Sequence, residues 1–114
     1  MEIVTWILQG LLAAAFLMAG FGKVTGSKIH VDGFEHWRLP QWFRVVTGIL
    51  EIVAAGLLIA GFWVVNLAIY GAILLVVISV GGVLTHLRVK DSLKDTFPIL
   101  ILGVLAFILL LLLQ

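Results

Sequence analysis

The sequence predicts an all-α fold, a single domain over residues 1–114 built as an up-down-up-down bundle of four transmembrane helices. Composition is the first reason. Hydrophobic residues make up 63% of the 114-residue chain and charged residues 11%, whereas the surface of a soluble domain requires about a quarter charged residues. The second reason is length: the apolar residues fall into four segments, each near the roughly 20 residues that cross a hydrocarbon core. The third is punctuation, because turn residues lie between those segments and all the basic residues lie in or beside two of the loops.

The first helix is expected over about 3–22, where the chain runs without a charge. Glu2 precedes it with no Lys or Arg, the reverse of a secretory n-region, so it reads as a retained helix rather than a cleaved leader. A loop of about 23–41 follows, mixing Gly, His, Asp, Glu and Trp. Pro40 then suits the entry turn of the second helix, expected over about 43–60. Gly61-Phe62-Trp63 leaves only a tight turn before the third helix at about 64–85. After a second loop, about 86–96, Asp95 and Thr96 are candidate caps for a fourth helix at about 97–113, with Pro98 in its first turn.

The seven basic residues set an orientation. Lys23, Lys28, Arg38 and Arg44 flank the first loop, and Arg88, Lys90 and Lys94 the second, so the positive-inside rule puts both loops in the cytoplasm and both termini outside. Trp6 and Trp63 fall at the expected outer boundary and Trp37 and Trp42 at the inner one, as two aromatic belts. A formal charge of +1 without a basic run excludes a nucleic-acid partner. With no cysteine in the chain, disulfides, iron–sulfur ligation and thiol chemistry are excluded.

Glu51 is the main candidate for function. An ionisable group in mid-segment costs several kcal/mol unless it is paired, hydrogen-bonded or protonated. Arg44, Thr47, Gly48, Glu51 and Ala55 share its helical face, which is polar or small and suits the bundle interior. Two roles stay open: a proton carrier or anchor for a polar ligand, and a structural carboxylate joining helices. Lys23, Arg44 and Ser79 are its candidate partners, although for Lys23 and Arg44 the spacing favours snorkelling to headgroups. His86 follows a small and polar face through Ser79 and Gly82. Proton exchange is one reading of it and a headgroup contact the more ordinary one. His30, Asp32, Glu35 and His36 match no metal motif, and no metal site is expected. Gln9, Asn66 and Tyr70 are candidates for interhelical hydrogen bonds or for a small polar cavity. Gly10, Ala14, Gly48, Gly56, Gly71, Gly81, Gly82 and Gly103 predict close helix contacts. Tyr70 and Ser79 lie on opposite faces of the third helix, so a homo-oligomer or a larger membrane complex is expected.

Read in order, several of these stretches resemble the DoxX-like family of small four-helix membrane proteins. Ala19-Gly20-Phe21-Gly22-Lys23-Val24 looks like the family's glycine-then-lysine ending of helix one. Phe34 stands where the loop aromatic does, and Leu39-Pro40-Gln41-Trp42-Phe43 matches the proline turn. Gly48-Ile49-Leu50-Glu51-Ile52-Val53-Ala54-Ala55-Gly56 resembles the Glu and small residues of helix two, and Thr85-His86 the end of helix three. The resemblance implies that Lys23, Glu51 and His86 are family-typical polar sites. It also implies a bacterial inner-membrane protein acting as an accessory subunit of a redox-linked complex, with a quinone as the ligand. The competing expectations are an assembly or stabilising factor without catalysis, and a stand-alone enzyme on a lipophilic substrate. A ligand-binding role requires a cavity beside Glu51, whereas an assembly factor predicts a filled interior.

Overall fold

A computed structural model of the protein describes residues 2–114, and among these it contains five helices: α1 (Glu2–Thr25), α2 (Lys28–His36), α3 (Gln41–Ala60), α4 (Val65–Arg88) and α5 (Leu93–Leu112). All but α2 are long and apolar enough to cross a membrane. At 1.5 Å rise per residue they measure about 30–36 Å, the thickness of a hydrocarbon core. The four-helix expectation therefore holds, with α2 as an added element inside the first loop.

Local chemistry explains the boundaries. α1 continues past Gly22 to Thr25, so Lys23 sits inside the helix rather than beyond it. Gly26, at φ 77°, then stops the helix, and Ser27 N–H donates back to Gly22 O at 2.9 Å. This is a Schellman ending. The same device ends α2 at Arg38 (φ 59°), with Leu39 N–H to Phe34 O, and α4 at Lys90 (φ 60°), with Asp91 N–H to His86 O. Arg38 and Lys90 are not glycines, so each holds a left-handed backbone at a cost of order 1 kcal/mol. α5 begins four residues earlier than expected. Ser92 is its cap and accepts from Asp95 N–H at 3.2 Å. Pro98 consequently lies in the second turn of α5.

α1 packs on α3, α3 on α4 and α4 on α5, and α5 closes the ring against α1. The core where they meet is narrow and made largely of small residues: Ala13, Ala54, Ala55, Ala68, Ala72 and Ala106 around Leu12, Phe16, Leu58, Leu75 and Leu109. Such a core suits a lipid solvent, which offers no hydrophobic drive between helices, so close backbone approach and dispersion must hold them. Gln9 Nε2 donates to Leu58 O at 2.6 Å and ties α1 to α3 in the buried interior. Large apolar side chains face outward, Met18 at 77% exposure and Val77 at 61% among them.

The glycines divide into two groups. A Cβ on Gly20 would lie 2.8 Å from Gly48 O, and one on Gly48 would lie 2.8 Å from Gly20 O. α1 and α3 thus cross backbone to backbone at that pair. Gly71, Gly82 and Gly103 also sit against neighbouring helices, whereas a Cβ on Gly10, Gly56 or Gly81 would meet nothing within 4 Å. Ala14 is exposed. Close contact, expected of all these positions, is confined to some of them. Asn66 and Tyr70 are exposed rather than engaged between helices of the bundle. Trp6, Trp42 and Trp63 lie on the surface, as belt residues do, but Trp37 is turned inward.

Candidate functional site

Gly20-x-x-Lys23 on α1 and Gly48-x-x-Glu51 on the antiparallel α3 place a cation and an anion one turn to either side of the glycine crossing, and the lysine stem spans it. Lys23 Cβ passes within 2.8 Å of where a Gly48 Cβ would be, so the missing side chain is what lets the lysine stem through. Lys23 Nζ reaches Glu51 Oε1 at 2.9 Å, with the two side chains 12% and 3% exposed. Lys23 therefore points into the bundle rather than snorkelling to headgroups. The interior pulls it in because a buried carboxylate without a cation costs more than the bending of a flexible stem.

Arg44 goes elsewhere. Its guanidinium donates to Lys23 O, at the carbonyl end of α1, and its Nε donates to Gln41 Oε1 at 2.7 Å. A cation there complements the negative end of the helix dipole. Arg44 is neither a partner of Glu51 nor a headgroup contact. Ser79, the third candidate partner, lies against Gly103 of α5, and its buried hydroxyl has no hydrogen bond among the described residues.

Around the ion pair lies a cavity of about 570 Å³. Lys23 and Glu51 form its polar floor, and Phe16, Ile78, Leu102 and other apolar side chains form its walls. Phe43, Leu50, Val77 and Gly81 line it and are also exposed, so it opens sideways between α3 and α4. α2 covers the end away from the bundle centre. His30, Phe34 and Trp37, at spacings of four and three residues, turn one face of this short helix into the cavity. Phe34 packs edge-on against both Trp37 and Phe43. Burial, with Lys23 and Arg44 nearby, keeps the His30 imidazole below its ordinary pKa.

The cover is fastened by Asp91, in the turn between α4 and α5. Its carboxylate, 7% exposed, meets His36 Nε2 at 2.6 Å and His86 Nδ1 at 2.7 Å. It also accepts from Trp37 Nε1 at 3.2 Å, while Arg88 donates to Trp37 O. The hydrogen bond from His36, aided by those from His86 and Trp37, holds Asp91 below the usual carboxylate value against the burial that would raise it. His86 is thus drawn into this cluster and into the cavity wall rather than to headgroups. Asp32 and Glu35 are exposed on α2, on the side away from His30.

The structure brings Lys23, Glu51 and His86 to one cavity and leaves Arg44 at its margin. Sequence reasoning missed α2 and the role of Asp91. The helix had a readable signal in the His30, Phe34 and Trp37 spacing. Asp91 had none, because its partners come from positions 36, 37 and 86.

Comparisons with known proteins agree with this architecture. The chain is 38% identical over 82 residues to the uncharacterized protein YdgD of Bacillus subtilis (strain 168), an alignment covering 71% of this chain and 72% of that one. No solved structure matches it. The family model described as the DoxX-like family matches residues 7–109, almost the whole bundle with its cavity, and the chain accordingly belongs to the DoxX-like family of membrane proteins.

Proposed function

We propose that this protein binds a lipophilic small molecule of the quinone class in the cavity and serves as an accessory subunit of a redox-linked complex in a bacterial inner membrane. The observation that carries this reading is the cavity itself: about 570 Å³ of space over a buried ion pair. That volume lies in the range of small-molecule sites, roughly 300–1,000 Å³. Apolar walls suit a hydrocarbon tail and ring. Lys23 offers a donor to a carbonyl oxygen, and the sideways opening admits a ligand that dissolves in lipid. A purely structural role for Glu51 gives no reason for space beside it. A partner subunit is supported by Tyr70, 58% exposed among apolar neighbours on α4, because a phenol in hydrocarbon gains from a hydrogen-bonding neighbour. In this reading both loops are cytoplasmic and both termini outside, from the basic residues around the loops.

Decylubiquinone titrated into nanodisc-held protein tests the reading. With Trp6, Trp42 and Trp63 changed to Phe, Trp37 reports on the cavity through fluorescence quenching. Saturable quenching is expected. Gly81→Leu adds bulk at a residue that lines the cavity and where a Cβ meets nothing within 4 Å, and it should weaken binding at least tenfold at unchanged Tm. Absence of saturable quenching, or an unchanged Kd in Gly81→Leu, overturns it.

A further inference from the structure

The His86–Asp91 pair gives the cavity a second polar pole with a defined hydrogen-bonding sense. We propose that the ligand carries a hydroxyl group, as a lipophilic phenol or quinol does, and that His86, oriented by Asp91, accepts the hydrogen bond from it. This rests on the reading of the cavity as a ligand site and names the chemical form that the site prefers.

Three side-chain nitrogens meet the Asp91 carboxylate, His36 Nε2 at 2.6 Å, Trp37 Nε1 at 3.2 Å and His86 Nδ1 at 2.7 Å. An ionised carboxylate only accepts, and that set of donors keeps Asp91 ionised. The His86 Nδ1 must therefore carry a hydrogen. In the neutral imidazole the other nitrogen, Nε2, is then a lone-pair acceptor. Among the described residues only Nδ1 of this ring has a hydrogen-bond partner, and His86 is one of the residues that line the cavity. Trp37 packs edge-on against that ring, centroids 5.1 Å apart, and limits its rotation. Arg88 is occupied with Trp37 O, and His36, 59% exposed, takes the opposite oxygen of Asp91. At the other pole Lys23 can only donate. The two ends of the cavity thus differ in sense, a donor on the floor and an acceptor at the α2 end. A quinone carbonyl satisfies Lys23 but places a lone pair against a lone pair at His86. A quinol satisfies both ends: one ring hydroxyl donates to His86, and the oxygen of the other accepts from Lys23.

The test compares decylubiquinol with its dimethyl ether, which keeps ring and tail and removes both hydroxyl hydrogens. Binding is read by Trp37 quenching in nanodiscs under anaerobic conditions. The protein with native His86 and Asp91 should bind the quinol at least tenfold more tightly than the ether. His86→Asn retains a donor toward Asp91 but removes Nε2, and it should abolish that preference. Asp91→Asn, which no longer fixes the tautomer, should reduce the preference, and it carries the test should His86→Asn fail to fold. Equal affinity for both probes, or a preference that survives in both variants, overturns the proposal and leaves the cavity reading standing. Failure of decylubiquinone, quinol and ether alike to bind overturns both.

Discussion

Glu51 and Lys23 meet in a setting where neither is stable alone. The carboxyl group is 3% exposed and lies 2.9 Å from the ammonium, and removing one member of a buried pair costs roughly 3–5 kcal/mol because the other charge stays unsolvated. Lys23→Met should therefore lower the Tm in detergent strongly, up to the point where Glu51 takes a proton and limits the loss. Adding Glu51→Gln to it removes the stranded charge, so the double variant should melt above Lys23→Met at the same pH. Scanning fluorimetry of the three proteins checks the order, and a Lys23→Met protein as stable as the double variant contradicts the pairing. Glu51 was recognisable as an interior residue from its depth in an apolar segment and from Thr47, Gly48 and Ala55 on its face. Its choice of Lys23 over Arg44 was not. Both cations lie near the same end of the bundle, and only the path over Gly48 decides which one reaches inward.

At the scale of elements, the α1–α3 crossing positions the floor of the cavity. Gly20 and Gly48 each lie where a Cβ would stand 2.8 Å from the opposite backbone oxygen, so Gly48→Val forces the helices apart and displaces Lys23. Overpacking of this kind costs roughly 1–3 kcal/mol. A lower Tm and weaker decylubiquinone binding are expected together. A Cβ at Gly56 on the same helix meets nothing within 4 Å, and Gly56→Val should change neither beyond its effect on helix propensity. Equal behaviour of the two variants in melting and binding would show that the crossing does not hold the site. α2 is the other element that shapes the cavity, and in its nine residues of mixed composition the spacing of His30, Phe34 and Trp37 is the one sign of a helix. It is helical because Phe34 is buried and Trp37 is held by Asp91, both tertiary effects.

For the whole molecule the lipid is the solvent, and the outward faces of α1, α3, α4 and α5 carry Met18, Val53, Val77 and Phe107 in place of charges. The basic residues gather at the end that also holds α2 and the α4–α5 turn, which gives the expected orientation a direct check. With no native cysteine, single cysteines at Glu35 and at Gln114 report on one side each. A membrane-impermeant maleimide added to intact cells should label position 114 and leave position 35 unlabelled until the membrane is opened. Labelling of both from outside would reverse or break the topology.

The amino-acid sequence by itself determined the number of spans, their order and the depth of Glu51, because crossing a hydrocarbon core demands long apolar segments and gives every interruption a meaning. It also placed Lys23 and His86 at the same end as the loops. Tertiary structure decided the rest. The glycine crossing selected Lys23 as the partner of Glu51, and Asp91 drew His36, Trp37 and His86 together from separate elements. The cavity exists because α2 covers a gap that four packed helices leave open. These outcomes depend on distances between residues far apart in the chain, and hydropathy, which sees one segment at a time, carries no information about them.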